Sequence, residues 1–333
     1  LEHNLYGIDI DLRSCQLTAF NLYLKARERA ESEGAADFHM PNVGIVSADN
    51  RVAEIEEAEE ALNRITGEGT DLREAIGDII QTFQQTEALG SLLDVSGRLE
   101  EAFESEEAQL NLSDYDQGTH QSLNSFLRSL REAVDQQTSD SFGGQNLRSF
   151  LHLLVVLTQE YDTALMNPPY GSRGRMPGKV KEYVGRHYEY TTEYYINFFE
   201  VCDRLARPNG RVGMLVSHSF MFNSSFREFR EDFVGDRGSF DFFSEFGYGI
   251  LDNATVGTVG TVVRSNTFSS DSGTFIRLAD IKKENKEPTF LTAAFGNTQS
   301  RIQRRYQMEL SEFKMVPGTP LSYWVPRELR DLY

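Results

Sequence analysis

Two consecutive prolines, Pro168 and Pro169, follow an unbroken strand-like run, Tyr161-Asp162-Thr163-Ala164-Leu165-Met166. Proline has no N–H to donate to a ladder, and it holds the residue before it in an extended conformation. The strand must stop near residue 166, and the chain must leave it as a stiff open loop, Asn167-Pro168-Pro169-Tyr170. Such a loop suits one kind of chemistry. The Asn167 side-chain oxygen and the Pro168 main-chain carbonyl are two acceptors for the two hydrogens of a planar exocyclic amine. Accepting both draws the nitrogen lone pair out of conjugation and makes it nucleophilic towards a methyl donor. The Tyr170 ring offers a flat face on which a base can stack. Two prolines that merely end a strand are the plain alternative. Asn-Pro-Pro-Tyr directly behind a strand is much rarer than that, which favours the functional reading.

The flanking pattern places this loop in an α/β, doubly wound sheet of the Rossmann-like kind. Leu5-Tyr6-Gly7-Ile8-Asp9-Ile10-Asp11 reads as a short strand ending in acids. An amphipathic helix is predicted from about residue 12 to 33, with Leu17, Phe20 and Leu24 on its apolar face. Asn42-Val43-Gly44-Ile45-Val46-Ser47-Ala48-Asp49 reads as a second strand. Strand, helix, strand with polar strand ends is the rhythm of a parallel sheet. Residues 146–159 lead back into the sheet as an apolar helix. Beyond the proline loop, an aromatic-rich helix is predicted over 188–205, a turn at Arg207-Pro208-Asn209-Gly210, and a strand over 211–217. A helix over 222–233 and a hairpin of 240–246 with 255–263 follow. Past 266 the pattern weakens, and 281–288 looks like a linker. The expected division is a catalytic domain from 1–50 and 151–266, an acidic helical insertion over 51–150, and a linker with the start of a further domain over 267–333.

Charge separates these parts. The net charge is −18, which taken alone argues against a nucleic-acid partner. Residues 51–150 carry 21 Asp and Glu against 7 Arg, so −14 lies in that segment and only −4 elsewhere. The acid therefore sits away from the proline loop. A solvated helical surface and a regulatory or partner-binding role are both open for it. Lysine is scarce, 7 against 26 Arg. Abundant acid with little Lys resembles salt-adapted proteins, and in concentrated brine the Debye length falls to roughly 3 Å or less. Cys15 and Cys202 are the only cysteines, so neither a disulfide framework nor a zinc site is expected, and a reducing cytoplasm fits. The six His show no metal-like spacing. No run of 18 apolar residues exists, so no membrane span is expected. The first residues, Leu1-Glu2-His3-Asn4, carry no Met and no signal segment, as in a piece cut from a longer protein.

A methyl donor that carries a ribose and an adenine needs an acid for the sugar hydroxyls and a polar partner for the base. Asp9 can accept from both hydroxyls, Ile10 can pack on the adenine, and Asp49 can accept from its amino group. Acids at strand ends are common and usually cap the next helix. Together, in this order and ahead of Asn167, they are informative.

Gly7-Ile8-Asp9-Ile10-Asp11, Asp49, Asn167-Pro168-Pro169-Tyr170-Gly171 and Gly210-Arg211-Val212-Gly213-Met214-Leu215-Val216 resemble, in order, the blocks of S-adenosylmethionine-dependent DNA adenine-N6 methyltransferases of the γ arrangement. Phe246-Gly247-Tyr248-Gly249-Ile250-Leu251 through Val256, followed by Pro317-Gly318-Thr319-Pro320-Leu321-Ser322-Tyr323-Trp324, is similar to a narrower group. That group is the methyltransferases of BREX phage-defence systems and type IIG restriction–modification enzymes. The resemblance implies that S-adenosylmethionine is the cofactor, bound by Asp9, Ile10 and Asp49. It implies that Asn167, Pro168, Pro169 and Tyr170 hold an adenine flipped out of double-stranded DNA. It implies a phage-defence or restriction–modification setting, with further defence-system subunits as partners. The missing Pro-Cys dipeptide argues against cytosine-C5 methylation, which needs a thiolate. Three departures stand out. The glycine-rich loop expected before Asp9 is not in the chain. Leu251 stands where the family often has an aromatic, so Phe246 or Tyr248 is expected to form that wall. A recognition domain is expected to begin near 310.

Arg173, Arg175, Lys179 and Lys181, with Tyr248, are candidate DNA contacts beside the pocket; an ordinary surface loop is equally open for the basic four. His218 reads as a packed or capping residue. Asp280 with Glu284-Asn285-Lys286 matches a short nuclease-like pattern of the sort that arises by chance. Competing functions are methylation of a protein glutamine or an RNA base, and a non-catalytic DNA-binding or scaffold subunit.

Overall fold

A computed structural model describes residues 4–34, 38–39, 43–48, 63, 71–85, 89–110, 125–126, 128–130, 132, 142–251, 256–265, 272–295 and 304–332. The chain is α/β, with two compact units: residues 1–159 with 177–180, and 160–176 with 181–333.

In the first unit, β1 (Tyr6–Asp9), α1 (Leu12–Ser32) and β2 (Gly44–Ser47) form the expected strand–helix–strand, the strands pairing parallel from Tyr6↔Gly44 to Asp9↔Ser47. Asp11 starts α1: its backbone is extended and its carboxylate accepts from the Arg13 N–H. Gly34, at φ +81°, follows the helix end and adopts a turn that side chains resist. The predicted apolar face is corrected here. Leu17, Phe20 and Leu24 are 61%, 56% and 45% exposed, while Cys15 is the buried residue of α1. The short link from β1 through the Asp11 cap sets the helix rotation, and the Cys15 thiol approaches the Val46 carbonyl at 3.3 Å.

The acidic segment is not merely a solvated surface. In α2 (Asp71–Gln85), Leu72, Ile76, Ile79, Ile80 and Phe83 are buried; in α3 (Val95–Leu110), Leu99 and Phe103 are. This face packs with α4 (Phe142–Thr158) through Phe83 and Phe150, ring centroids 6.2 Å apart, and through Ser96 Oγ donating to the Leu157 carbonyl at 3.1 Å. Each fully buried Leu, Ile or Phe contributes about 1.5–3 kcal/mol, more than an exposed charge pair can offset. Of the expected helical insertion, residues 54–62 and most of 120–137 lie outside the described residues.

The second unit is built on six strands: β3 (Tyr161–Met166), β4 (Ala206–Ser217), β5 (Gly238–Gly247), β6 (Thr258–Ser265), β7 (Ser272–Arg277) and β8 (Arg305–Glu309). Their order is β3-β4-β6-β5-β7-β8, with β3–β4 and β5–β7 parallel and the other pairs antiparallel. The described strands thus fall into two sheets where one was expected. The predicted turn is a loop thrown out of β4: Tyr161 pairs with Ala206, and the next pair is Thr163↔Arg211. Asn209 adopts φ +67° within it. The hairpin of β5 and β6 is as expected.

Three elements differ from expectation. After α5 (Gly178–His187), helix α6 (Tyr194–Leu205) starts six residues later than predicted, because the buried Glu200 carboxylate binds the N–H groups of Glu189 and Tyr190 and keeps that stretch extended. The helix predicted over 222–233 is a short irregular run that ends in a π-helix over Arg230–Arg237. The sheet also continues past 266, since β7 and β8 extend it. The expected linker opens a helix, α7 (Lys283–Phe295), whose polar first turns hid it.

The segment from Pro317 to Trp324 packs into this same unit. The side chain of Arg230, 2% exposed, donates to the carbonyls of Phe220, Asn223, Gly318 and Thr319 at 2.7–3.1 Å. Its desolvation pulls the guanidinium below its usual range. The Tyr323 hydroxyl donates to Glu245 at 2.8 Å, and Arg277 lies 4.3 Å over the Trp324 ring. Among the described residues no helix is long and apolar enough to cross a membrane, and no cluster of His, Cys, Asp or Glu could hold a metal.

Candidate active site

The loop at the end of β3 is the best-defined candidate. Asn167 and Pro169 are exposed, Pro168 is buried and Tyr170 is half-buried. The Tyr170 hydroxyl donates to the Leu215 carbonyl of the neighbouring strand at 3.0 Å. That bond fixes the ring, and partial burial raises the phenol above its usual range. A hydroxyl so used keeps the ring face, not the polar tip, for a ligand.

The chain beyond the loop is zipped to a second stretch. Arg173 N–H donates to the Thr192 carbonyl at 3.1 Å, and Tyr194 N–H donates to the Gly171 carbonyl at 3.2 Å, with Ser172 and Glu193 bridged between them. Glu193 is extended at φ −145° and ψ 156°, and desolvation raises its carboxyl. Thr191–Tyr194 thus brace the loop, a role the sequence reading missed. Its signal was faint, a pair of threonines just ahead of an aromatic helix. Arg173 belongs to the same brace: it is half-buried, donates to Thr191 Oγ1 at 2.8 Å and lies over Gly185. Arg175, Lys179 and Lys181 are exposed.

The neighbouring strand ends supply an aromatic wall. His218 follows β4, its N–H donating to the Gly257 carbonyl at 2.9 Å. A Cβ on Gly257 would fall 2.3–2.7 Å from the imidazole atoms, so only glycine lets the ring lie there. His218 Nδ1 is buried with no hydrogen-bond partner among the described residues. Tyr248, 61% exposed, presents its ring edge-on to His218 with centroids 5.7 Å apart. Phe246 is instead committed to packing on Phe290 at 5.8 Å. Of the two aromatics expected to serve as a pocket wall, Tyr248 is the available one.

The candidate donor residues lie in the other unit. At the end of β1, Asp9 and Ile10 are exposed, Ile10 by 49%. Asp9 Oδ1 accepts the Asp11 N–H at 2.7 Å, and its Oδ2 has no partner among the described residues. One free carboxylate oxygen beside an exposed apolar side chain fits a sugar hydroxyl and the face of a base. Asp11 is held otherwise: bonded to Arg13, its carboxyl falls to about 2. Asp49 lies outside the described residues.

A model of the Eco57I restriction–modification methylase family matches residues 3–250. The adenine-specific methyltransferase PglX of Lacticaseibacillus casei (strain Zhang) is 28% identical over 348 residues, covering 100% of this chain and 26% of that protein. The adenine-specific methyltransferase BrxX of Escherichia coli O9:H4 (strain HS) is 26% identical, covering 97% of this chain and 26% of that protein. The chain thus spans about a quarter of the length of these curated relatives. The crystal structure of the M protein of the type I restriction enzyme EcoKI overlaps 62% of this chain and 49% of its own, at 16% identity. Its TM-score of 0.34 is too low to bear on fold or activity.

Proposed function

The chain belongs to the Eco57I restriction–modification methylase family, and we propose that it is the catalytic part of a DNA adenine-N6 methyltransferase of a phage-defence or restriction–modification system. The observation that carries this reading is the exposed Asn167 at the tip of β3, three residues before a Tyr170 ring held by its own hydroxyl. Asn167 and the Pro168 carbonyl accept the two amine hydrogens of a flipped adenine, and Tyr170 stacks on its face. Pro169 keeps the loop extended. Tyr248 forms the opposite wall. S-adenosylmethionine, when bound, supplies an electrophilic methyl group on a sulfonium. Asp9 holds its ribose, Ile10 packs on its adenine, and Asp49 takes the adenine amine.

The substrate is double-stranded DNA, and Arg175 with Lys179 and Lys181 on the following helix meet its phosphates, with Arg173 bracing the loop ahead of that helix. Further defence-system subunits are partners. On this reading residues 1–50 and 151–266 are catalytic, 51–150 are inserted, and 267–333 complete the same sheet with β7 and β8 before leading towards target recognition. Methylation of a protein glutamine or an RNA base, and a purely structural role, are less favoured, since both curated relatives are named adenine-specific. Transfer of labelled methyl groups by the intact protein to adenine-containing duplex DNA tests the proposal. Activity retained in Asn167→Ala, or found only on RNA or protein, would reject it.

A further inference from the structure

Lys286 is 3% exposed, in the first half of α7, and among the described residues no carboxylate is bonded to it. Burying an ammonium is costly unless its hydrogens are met by acceptors. Its acceptors are main-chain carbonyls: Phe246 at the end of β5, and Leu278, at 3.1 Å, just past the end of β7. Desolvation draws the ammonium below its ordinary range, a cost that a methionine in its place would not carry. Phe290, one helical turn on, packs against Phe246 and Phe242 and presses the same face of α7 onto the same strand end.

What leaves that strand end is Tyr248. It stands between Gly247 at φ +67° and Gly249 at φ +84°, two conformations that hold it in a tight projecting turn. Gly247 is itself pressed on the chain after β7, where a Cβ would lie 2.8 Å from the Ala279 Cα. Leu278 N–H closes the contact by donating to the Glu245 carbonyl at 2.8 Å. These contacts join the ends of β5 and β7, beside the pairing of Gly247 with Thr258 of β6 and the Arg277–Glu245 ion pair, and Lys286 bridges the two strand ends through their carbonyls.

We propose that Lys286 is a positioning residue, whose ammonium ties the ends of β5 and β7 together and so sets the place of the Tyr248 ring beside His218. This rests on the reading of Tyr248 as a wall of the adenine pocket. Lys286 itself touches no substrate. Its appearance in an acid-x-Lys pattern is incidental to nuclease chemistry, because its hydrogens are spent on backbone.

The experiment places 3-fluorotyrosine at position 248 of the intact protein and records its fluorine spectrum in Lys286→Met and Lys286→Gln, the latter retaining one amide donor. A probe at the buried Tyr195 serves as control. Loss of the bridge shifts or broadens the 248 signal in Lys286→Met, less so in Lys286→Gln, and leaves the 195 signal in place. In methyl transfer to duplex DNA, Lys286→Met loses about tenfold in kcat/KM, the scale of one base–aromatic stack. Combined with Tyr248→Ala, it loses no more than Tyr248→Ala alone. An unchanged 248 signal, or losses that multiply in the double variant, overturns the proposal. A wild-type protein that transfers no methyl group refutes the methylation reading instead, and the fluorine spectra still decide the positioning role.

Discussion

The tips of β1 and β3 both carry a polar residue offered to solvent, yet they are built in opposite ways. Asn167 is backed by a buried proline, a tyrosine bonded across to β4 and a braced loop behind it. The Asp9 main chain is paired to β2, but its carboxylate makes a single local bond, to the next helix cap. The comparison separates two demands of a group transfer. An acceptor amine must be aligned to a fraction of an ångström, because reactivity depends on where its lone pair points. A sugar hydroxyl needs only to be bound. On the proposed reading, the β3 tip meets the first demand and the β1 tip the second.

This contrast can be broken at several points. Asn167→Ala is expected to lower kcat by about 10²–10³-fold with donor affinity unchanged, the usual loss for one preorganised polar group. A loss confined to KM would put Asn167 in ordinary binding. Tyr170→Ala should cost about 10–100-fold in kcat/KM by losing the stack. Tyr170→Phe keeps the ring and loses only the bond to Leu215, so about fivefold is expected. If both variants fall equally, the hydroxyl, not the ring face, carries the effect. Asp9→Asn should weaken donor binding about tenfold, read by calorimetry, and leave kcat at saturating donor unchanged. A fall in kcat instead would mean that the β1 tip is as stringent as the β3 tip.

The smallest effect concerns the cap beside Asp9. Asp11 has its carboxyl lowered from 3.8 to about 2, mainly by its bond to Arg13. A lowered folded-state value stabilises the fold above the unfolded value and ceases to do so as protons bind. The contribution is thus complete above about pH 4 and lost as the pH falls towards 2. Asp11→Asn keeps a cap and should flatten that part of an acid-unfolding curve followed by helical circular dichroism. An unaltered curve would show that the exposed pair contributes nothing.

Legibility in the sequence followed the same divide between local and remote causes. The proline loop and the β1–α1–β2 unit were readable because each is dictated by residues a few positions apart. The burial of Cys15 in place of the Leu17, Phe20 and Leu24 face was not, since helix rotation is set by the strand link and not by periodicity. Strands β7 and β8 were missed because Ser272–Arg277 and Arg305–Glu309 are short and polar, and become strands only by pairing with β5 and with each other. Lys286 read as chance noise, for nothing in Glu284-Asn285-Lys286 reveals that the ends of two distant strands will meet there. Both Phe246 and Tyr248 were legible as aromatics near Leu251. That Phe246 is already engaged by Phe290 was not.

The pincer of Arg230 on the carbonyls of Phe220, Asn223, Gly318 and Thr319 has a practical corollary. A cut placed near residue 310, where the sequence invites one, would strand a fully desolvated cation and strip Tyr323 from Glu245. Dissection of the protein into separately expressed pieces should keep everything through Trp324 with the six-stranded sheet.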